Sequence, residues 1–153
     1  AVVTLLLKIP NAISTSLFVE GSHGEGLKKI VTRSLLFTYL LLIPASLILY
    51  ICSYWVLGVV SAEYAAGGVN VLKVMIAASL FAGVNSTYFA VQKVQNDLKG
   101  LIVLSGLIGV LVVGTGYVLM PMFGVMGAGF AWLVGNGIGS LAVAIIGLQK
   151  RWI

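Results

Sequence analysis

The chain reads as an all-α, polytopic helical membrane protein, and three observations carry that reading. Of its 153 residues, 60% are hydrophobic and 8% are charged, whereas soluble domains carry roughly 25% charge. Mean hydropathy is +1.13. The apolar stretches approach the ~20 residues that a helix needs to cross a bilayer, too long for single core elements of a soluble domain.

Five segments meet or approach that length, at about 1–19, 35–60, 68–91, 101–120 and 125–148. The first is oily except for Lys8, Pro10 and Asn11. The second holds Pro44 near its middle, where a missing hydrogen bond kinks the axis; the kink is either static or a hinge. In the third, Ser79, Gly83, Ser86 and Ala90 recur at helical spacing. The fourth ends at the tight connector "PMFG". The last carries Ala128, Ala131, Gly135, Gly139 and Ala142 on one stripe. Small residues let helices approach closely in lipid, so both stripes are expected to be helix–helix contacts. The stretch "GLKKIVTRSLLF" (26–37) sorts Leu27, Ile30 and Val31 from Lys28, Lys29 and Arg33. It suits a short interfacial helix before the second span, or ordinary basic residues flanking that span.

The basic residues test this division, because inner loops carry an excess of Lys and Arg. Lys28, Lys29 and Arg33 fall in the first connector, Lys93 and Lys99 at the third, and Lys150 with Arg151 after the last helix. The second and fourth connectors hold none. The expected topology therefore starts outside and ends inside the cell membrane. Because the chain opens on Ala with an apolar run already under way, it is also expected to be a piece of a longer protein. Lys8 and Lys73 are the two basic residues, out of nine, that topology leaves over.

Several function classes have no basis in the residues. The basic residues form no cluster that would grip nucleic acid. Cys52 is the one cysteine, which excludes an internal disulfide or a Cys-based metal site. His23 stands in a glycine-rich loop with Glu20 and Glu25, too few convergent ligands for a metal. The glycines match neither GxGxxG nor GxxxxGK[ST] spacing. No carboxylate falls at membrane depth and no nucleophile–base pair is visible. Neither an enzyme nor a cofactor is expected.

What remains is Lys8. At 100° per residue, Thr4, Lys8, Asn11 and Thr15 share a sector of about 60° on one helix face. A polar stripe on an apolar helix is the pattern of a wall lining a wet cavity, and an ionisable residue at membrane depth is a functional-site hypothesis. The third segment has a looser counterpart in Asn70, Phe81, Tyr88 and Gln92, with Lys73 and Asn85 at its edges. Lys73 lies close enough to the outer boundary to snorkel there instead.

These pieces together resemble the polysaccharide-exporter and lipid-linked-oligosaccharide-flippase branch of the multidrug/oligosaccharidyl-lipid/polysaccharide (MOP) transporter superfamily. The residues that carry the resemblance are "EY" at 63–64 with "AAGGVNVLKVM" after it, and "LLIPASLIL" around Pro44. "MFGVMGAGFAWLVGNGIGSL" (122–141) and "KIPNAISTSLF" (8–18) add to it. The resemblance covers nearly the whole chain, through diffuse patterns rather than a tight signature. It implies five transmembrane helices forming most of the C-terminal lobe of a two-lobed transporter, completed by an N-terminal lobe of the same chain. It further implies movement of a lipid-linked saccharide across the cytoplasmic membrane by alternating access. Lys8 and Lys73 would then offer charge to an anionic substrate, beside Asn11, Thr4, Thr15 and Asn85. Two alternatives stay open: a cation-coupled multidrug exporter of the same superfamily, and a non-transporting membrane scaffold associating through its glycine stripes.

Overall fold

The structure, a computed structural model, describes residues 2–21, 27–59 and 62–149. Within these, the side chains of 2, 14, 15, 17–21, 27, 28, 30, 62–66, 94 and 149 are not described. Six helices follow one another: α1 (Val2–Gly21), α2 (Leu27–Ile51), α3 (Ser53–Gly58), α4 (Ala62–Val94), α5 (Leu98–Phe123) and α6 (Val125–Gln149). No strand occurs among the described residues.

Among the described residues, four helices are long and apolar enough to cross a membrane, over Val31–Ile51, Gly67–Lys93, Leu98–Phe123 and Val125–Leu148. The fold is all-helical among the described residues, with four helices that could span a membrane, as a helical membrane protein has. The first of the five predicted segments corresponds to α1, 20 residues long; its described apolar stretch is Val3–Ile13, and the side chains at 14, 15 and 17–21 lie outside the described residues.

The second predicted helix is both extended and divided. Residues 27–34 continue directly into α2 rather than forming a separate interfacial helix. Nothing between Arg33 and Leu35 breaks a helix, and Val31 packs against Ala90 and Val91 of α4. The Arg33 guanidinium also lies 5.6 Å from the centroid of the Phe37 ring, one turn on. At the other end Cys52 leaves helical geometry, with φ −85° and ψ 6°. The Ser53 hydroxyl donates to the Tyr50 carbonyl at 2.9 Å, and the chain resumes as α3, whose Leu57 reaches over Gly68 of α4.

The order of contacts fixes the helix directions. Tyr39 donates to the Leu80 carbonyl, Leu42 packs near Gly83, and Lys73 meets Tyr50, so α2 and α4 are antiparallel. Leu6 packs with Leu72 and Ile76, while Pro10 is bonded by Ser86, so α1 runs parallel to α4. Gly129 faces Val71 and Val74, and Gly139 faces Asn85, so α6 is parallel to α4 as well. Gly116 meets Ala131 and Gly135 meets Ile108, which sets α5 against α6. Helix α4 is the centre and touches every other helix.

Consequently the described basic residues Lys29, Arg33, Lys93 and Lys99, all exposed, gather at one end of the bundle. Exposed Tyr50, Tyr54, Trp55, Tyr117 and Phe123 gather toward the other. Aromatic side chains favour membrane–water interfaces, where the ring is half solvated.

Two tight connections hold these directions. Between α4 and α5, Asn96 takes φ 55°, and the Asp97 carboxylate accepts from the Gly100 amide at 3.1 Å, capping α5. Between α5 and α6 a single residue reverses the chain. Gly124 does so at φ 58° and ψ −137°, a conformation that a side chain resists.

Where α5 and α6 meet, a Cβ on Gly135 would overlap the Val112 side chain, whereas Gly137, two residues on, has nothing near it. Gly135→Val should therefore destabilise the bundle by about 1–3 kcal/mol through overpacking. Gly137→Ala should be neutral or stabilising by up to ~1 kcal/mol, the helix propensity difference. Thermal unfolding of the detergent-solubilised protein distinguishes the two.

Candidate functional site

Most exposed surface of the bundle is apolar. Helix α2 presents Leu36, Leu40, Ile43, Leu47 and Ile48; α5 presents Ile102, Val103, Val110 and Val113; α6 presents Leu141 and Ile145. Helix α1 is different. Among its described side chains, Thr4, Lys8, Asn11, Ala12 and Ser16 are all exposed, with Leu5 the one large apolar residue exposed beside them. The opposite side carries Leu6 and Pro10 into the bundle, both buried. The sequence-predicted stripe of Thr4, Lys8 and Asn11 thus lies together on an outward face. Thr15 belongs to α1, but its side chain lies outside the described residues.

The depth of this face follows from its neighbours. Lys8 sits between Leu6, which packs with Leu72 and Ile76, and Pro10, whose carbonyl meets Ser86. That places it level with the middle of the α4 span Gly67–Lys93. Half a hydrocarbon core is about 15 Å, farther than a four-carbon stem carries an ammonium. An unpaired Lys at the centre of a span costs roughly 2.5–3.5 kcal/mol on insertion scales. Either water or a polar partner facing α1 removes that cost.

One hydroxyl ties this face to α4. Ser86 Oγ donates to the Pro10 carbonyl oxygen at 3.1 Å and lies 3.5 Å from Asn11 Oδ1. Pro10 has no N–H of its own, so the helix already lacks its bond to the Leu6 carbonyl at this point. The clasp and the break coincide.

The other predicted residues lie elsewhere. Lys73 is half-buried, its ammonium 4.9 Å from the centroid of the Tyr50 ring. Tyr117 lies near that level across the bundle, through Gly116–Ala131 and Gly129–Val74. Lys73 therefore shares the aromatic end and is apart from Lys8. Asn85 is 2% exposed and faces α6. Its Nδ2 donates to the Asn136 backbone carbonyl at 3.2 Å and to Asn136 Oδ1 at 3.3 Å. Asn136 Nδ2 in turn donates to the Trp132 carbonyl at 3.0 Å. This pair joins α4 to α6 inside the bundle.

The looser polar face of α4 is divided by α5. Asn70 and Phe81 are exposed, but Tyr88 and Gln92 are buried where α5 closes on α4. Gln92 Nε2 donates to the Tyr88 hydroxyl at 2.6 Å, and the approach is so close that a Cβ on Gly100 would collide with the Gln92 amide.

Sequence reasoning missed Asn136 and the bonding role of Ser86. An asparagine between two glycines of an apolar helix was a signal for the first. Ser86 was read only as a small residue, and nothing in the sequence pairs it with Pro10. Comparison with known protein families, curated proteins and solved structures finds no match.

Interhelical hydrogen bonds in membranes average ~0.6 kcal/mol and reach ~1.7 kcal/mol. Asn85→Ala should cost at least that, because it also leaves the buried Asn136 Oδ1 without its Asn85 donor. A double-mutant cycle with Asn136→Ala, read by thermal unfolding, should return a coupling in that range.

Proposed function

We propose that this chain is part of one lobe of an alternating-access transporter of the MOP type, moving a lipid-linked saccharide across the cytoplasmic membrane. In this reading the outward face of α1 lines the central cavity, and a second lobe of the same protein closes it. The observation that carries the reading is the exposed Thr4–Lys8–Asn11 face at mid-depth on a bundle whose other exposed surface is mostly apolar. A lipid-facing helix has no use for an ammonium there; a helix lining a watered, anion-receiving cavity does.

The role of each residue follows from its chemistry. Lys8 offers a compact, mobile cation to the phosphate groups of a lipid-linked saccharide. Asn11 and Thr4 offer amide and hydroxyl groups to the sugar or to cavity water. Lys73, held over Tyr50 near the aromatic end, would meet the headgroup region rather than the cavity centre. The end bearing Lys29, Arg33, Lys93 and Lys99 would lie on the cytoplasmic side, in keeping with the basic bias of inner loops. Asn85 serves the cavity indirectly, by holding α6 to α4.

Two measurements test this. In the full-length protein, Lys8→Ala should reduce surface-glycan export by about tenfold or more, the effect of losing roughly 1.4 kcal/mol of substrate interaction. Membrane insertion should be intact, and Lys8→Arg should retain part of the activity. Unchanged export in Lys8→Ala removes Lys8 from the mechanism. Separately, a cysteine at position 8 in a Cys52→Ser background should react with a membrane-impermeant maleimide. A cysteine there that stays inert faces lipid or a dry contact, which overturns the cavity.

A further inference from the structure

We infer that Ser86 is a positioning residue for the Lys8 face, acting as a two-position clasp on α1; the inference rests on the proposed cavity reading. Among the described residues, α1 packs on α2 and α4, and its described apolar attachment is Val3 and Leu6 against Leu42, Leu72 and Ile76. Apolar packing is non-directional, so it resists separation far better than it resists rolling or tilting. The Ser86 hydroxyl supplies a directional restraint, and it does so at Pro10, where the helix is weakened by one missing backbone bond.

A serine hydroxyl carries one proton and can donate it to one acceptor at a time. Two acceptors are in reach on consecutive residues: the Pro10 carbonyl oxygen at 3.1 Å and Asn11 Oδ1 at 3.5 Å. Hydroxyl bonds centre near 2.7–2.8 Å, so the shorter contact holds the proton here and the longer one is poised. A modest tilt of α1, which moves its two ends by different amounts, exchanges them. With the proton on Pro10, Asn11 keeps its exposed position beside Lys8. With the proton on Asn11 Oδ1, that side chain is drawn toward α4 and the Lys8 face turns with it. Ser86 itself is buried, 8% exposed, so it reaches no substrate; it sets where the substrate-facing residues point.

The test uses the full-length protein in a Cys52→Ser background, with single cysteines at positions 5 and 12 on the exposed face of α1. The readout is the ratio of their modification rates by a membrane-impermeant maleimide, alongside glycan export with Lys8 intact. Ser86→Ala should shift the ratio by about fivefold, what one neutral hydrogen bond is worth between two orientations, and should slow export. Ser86→Thr, which keeps the donor, should restore both. Asn11→Ala, which removes one of the two acceptors, should also shift the ratio, and adding it to Ser86→Ala should change nothing further. If position 12 is reactive but Ser86→Ala leaves the ratio unchanged, the clasp is wrong and the cavity reading survives. The clasp is equally wrong if Asn11→Ala and Ser86→Ala shift the ratio additively. If positions 5 and 12 are inert in every variant, both readings fall.

Discussion

Water does not reach the interior of a helical bundle in lipid, so a buried amide or hydroxyl is costly unless the bundle itself supplies a partner. Helix α4 concentrates that obligation. It buries Ser79, Asn85, Ser86, Thr87, Tyr88 and Gln92; two of these, Asn85 and Ser86, reach other helices, while Asn85 Oδ1 and Gln92 Oε1 have no partner among the described residues. Ser79 and Thr87 turn back onto the Ile76 and Gly83 carbonyls of their own helix. Asn85 takes α6, and Ser86 takes α1. Gln92 bonds Tyr88 beneath the start of α5. A helix with this much buried polarity has few neighbours it can accept, and so specifies them.

Apolar packing supplies the complement. Lipid tails are as oily as leucine, so burying Leu42 or Leu72 discriminates weakly between one helix arrangement and another. Close approach does discriminate. Gly135 and Gly139 let α6 settle onto Ile108 and Val112 of α5, a separation that any side chain would widen. The bundle is therefore registered by hydrogen bonds around α4 and by glycines between α5 and α6, with leucine, isoleucine and valine turned outward.

Against that background the outward face of α1 stands apart. On the other helices most exposed surface is apolar; on α1 Leu6 and Pro10 are inside and Thr4, Lys8 and Asn11 outside. A polar face at mid-depth is intelligible when the space beyond α1 is wet or polar.

Much of this was legible in the residues. Period 3.6 placed Thr4, Lys8 and Asn11 on one face, and helix geometry does not alter with context. Glycine and alanine spacing marked where α6 would be approached, since only small residues permit it. Apolar runs and basic flanks located the spans, because lipid thickness and loop charge act on the sequence directly. Other features depended on residues far apart in the chain. That Asn85 turns to Asn136 rather than toward Lys8, that Tyr50 receives Lys73, and that residues 27–34 extend α2 instead of lying flat are pairings across some 20 to 60 positions. A side chain's rotational position on its helix is local, but which neighbour covers that position is set by how the helices cross. The sequence by itself determined the helices and the polar face of α1; only tertiary packing decided which polar groups were sealed between helices and which were left facing out.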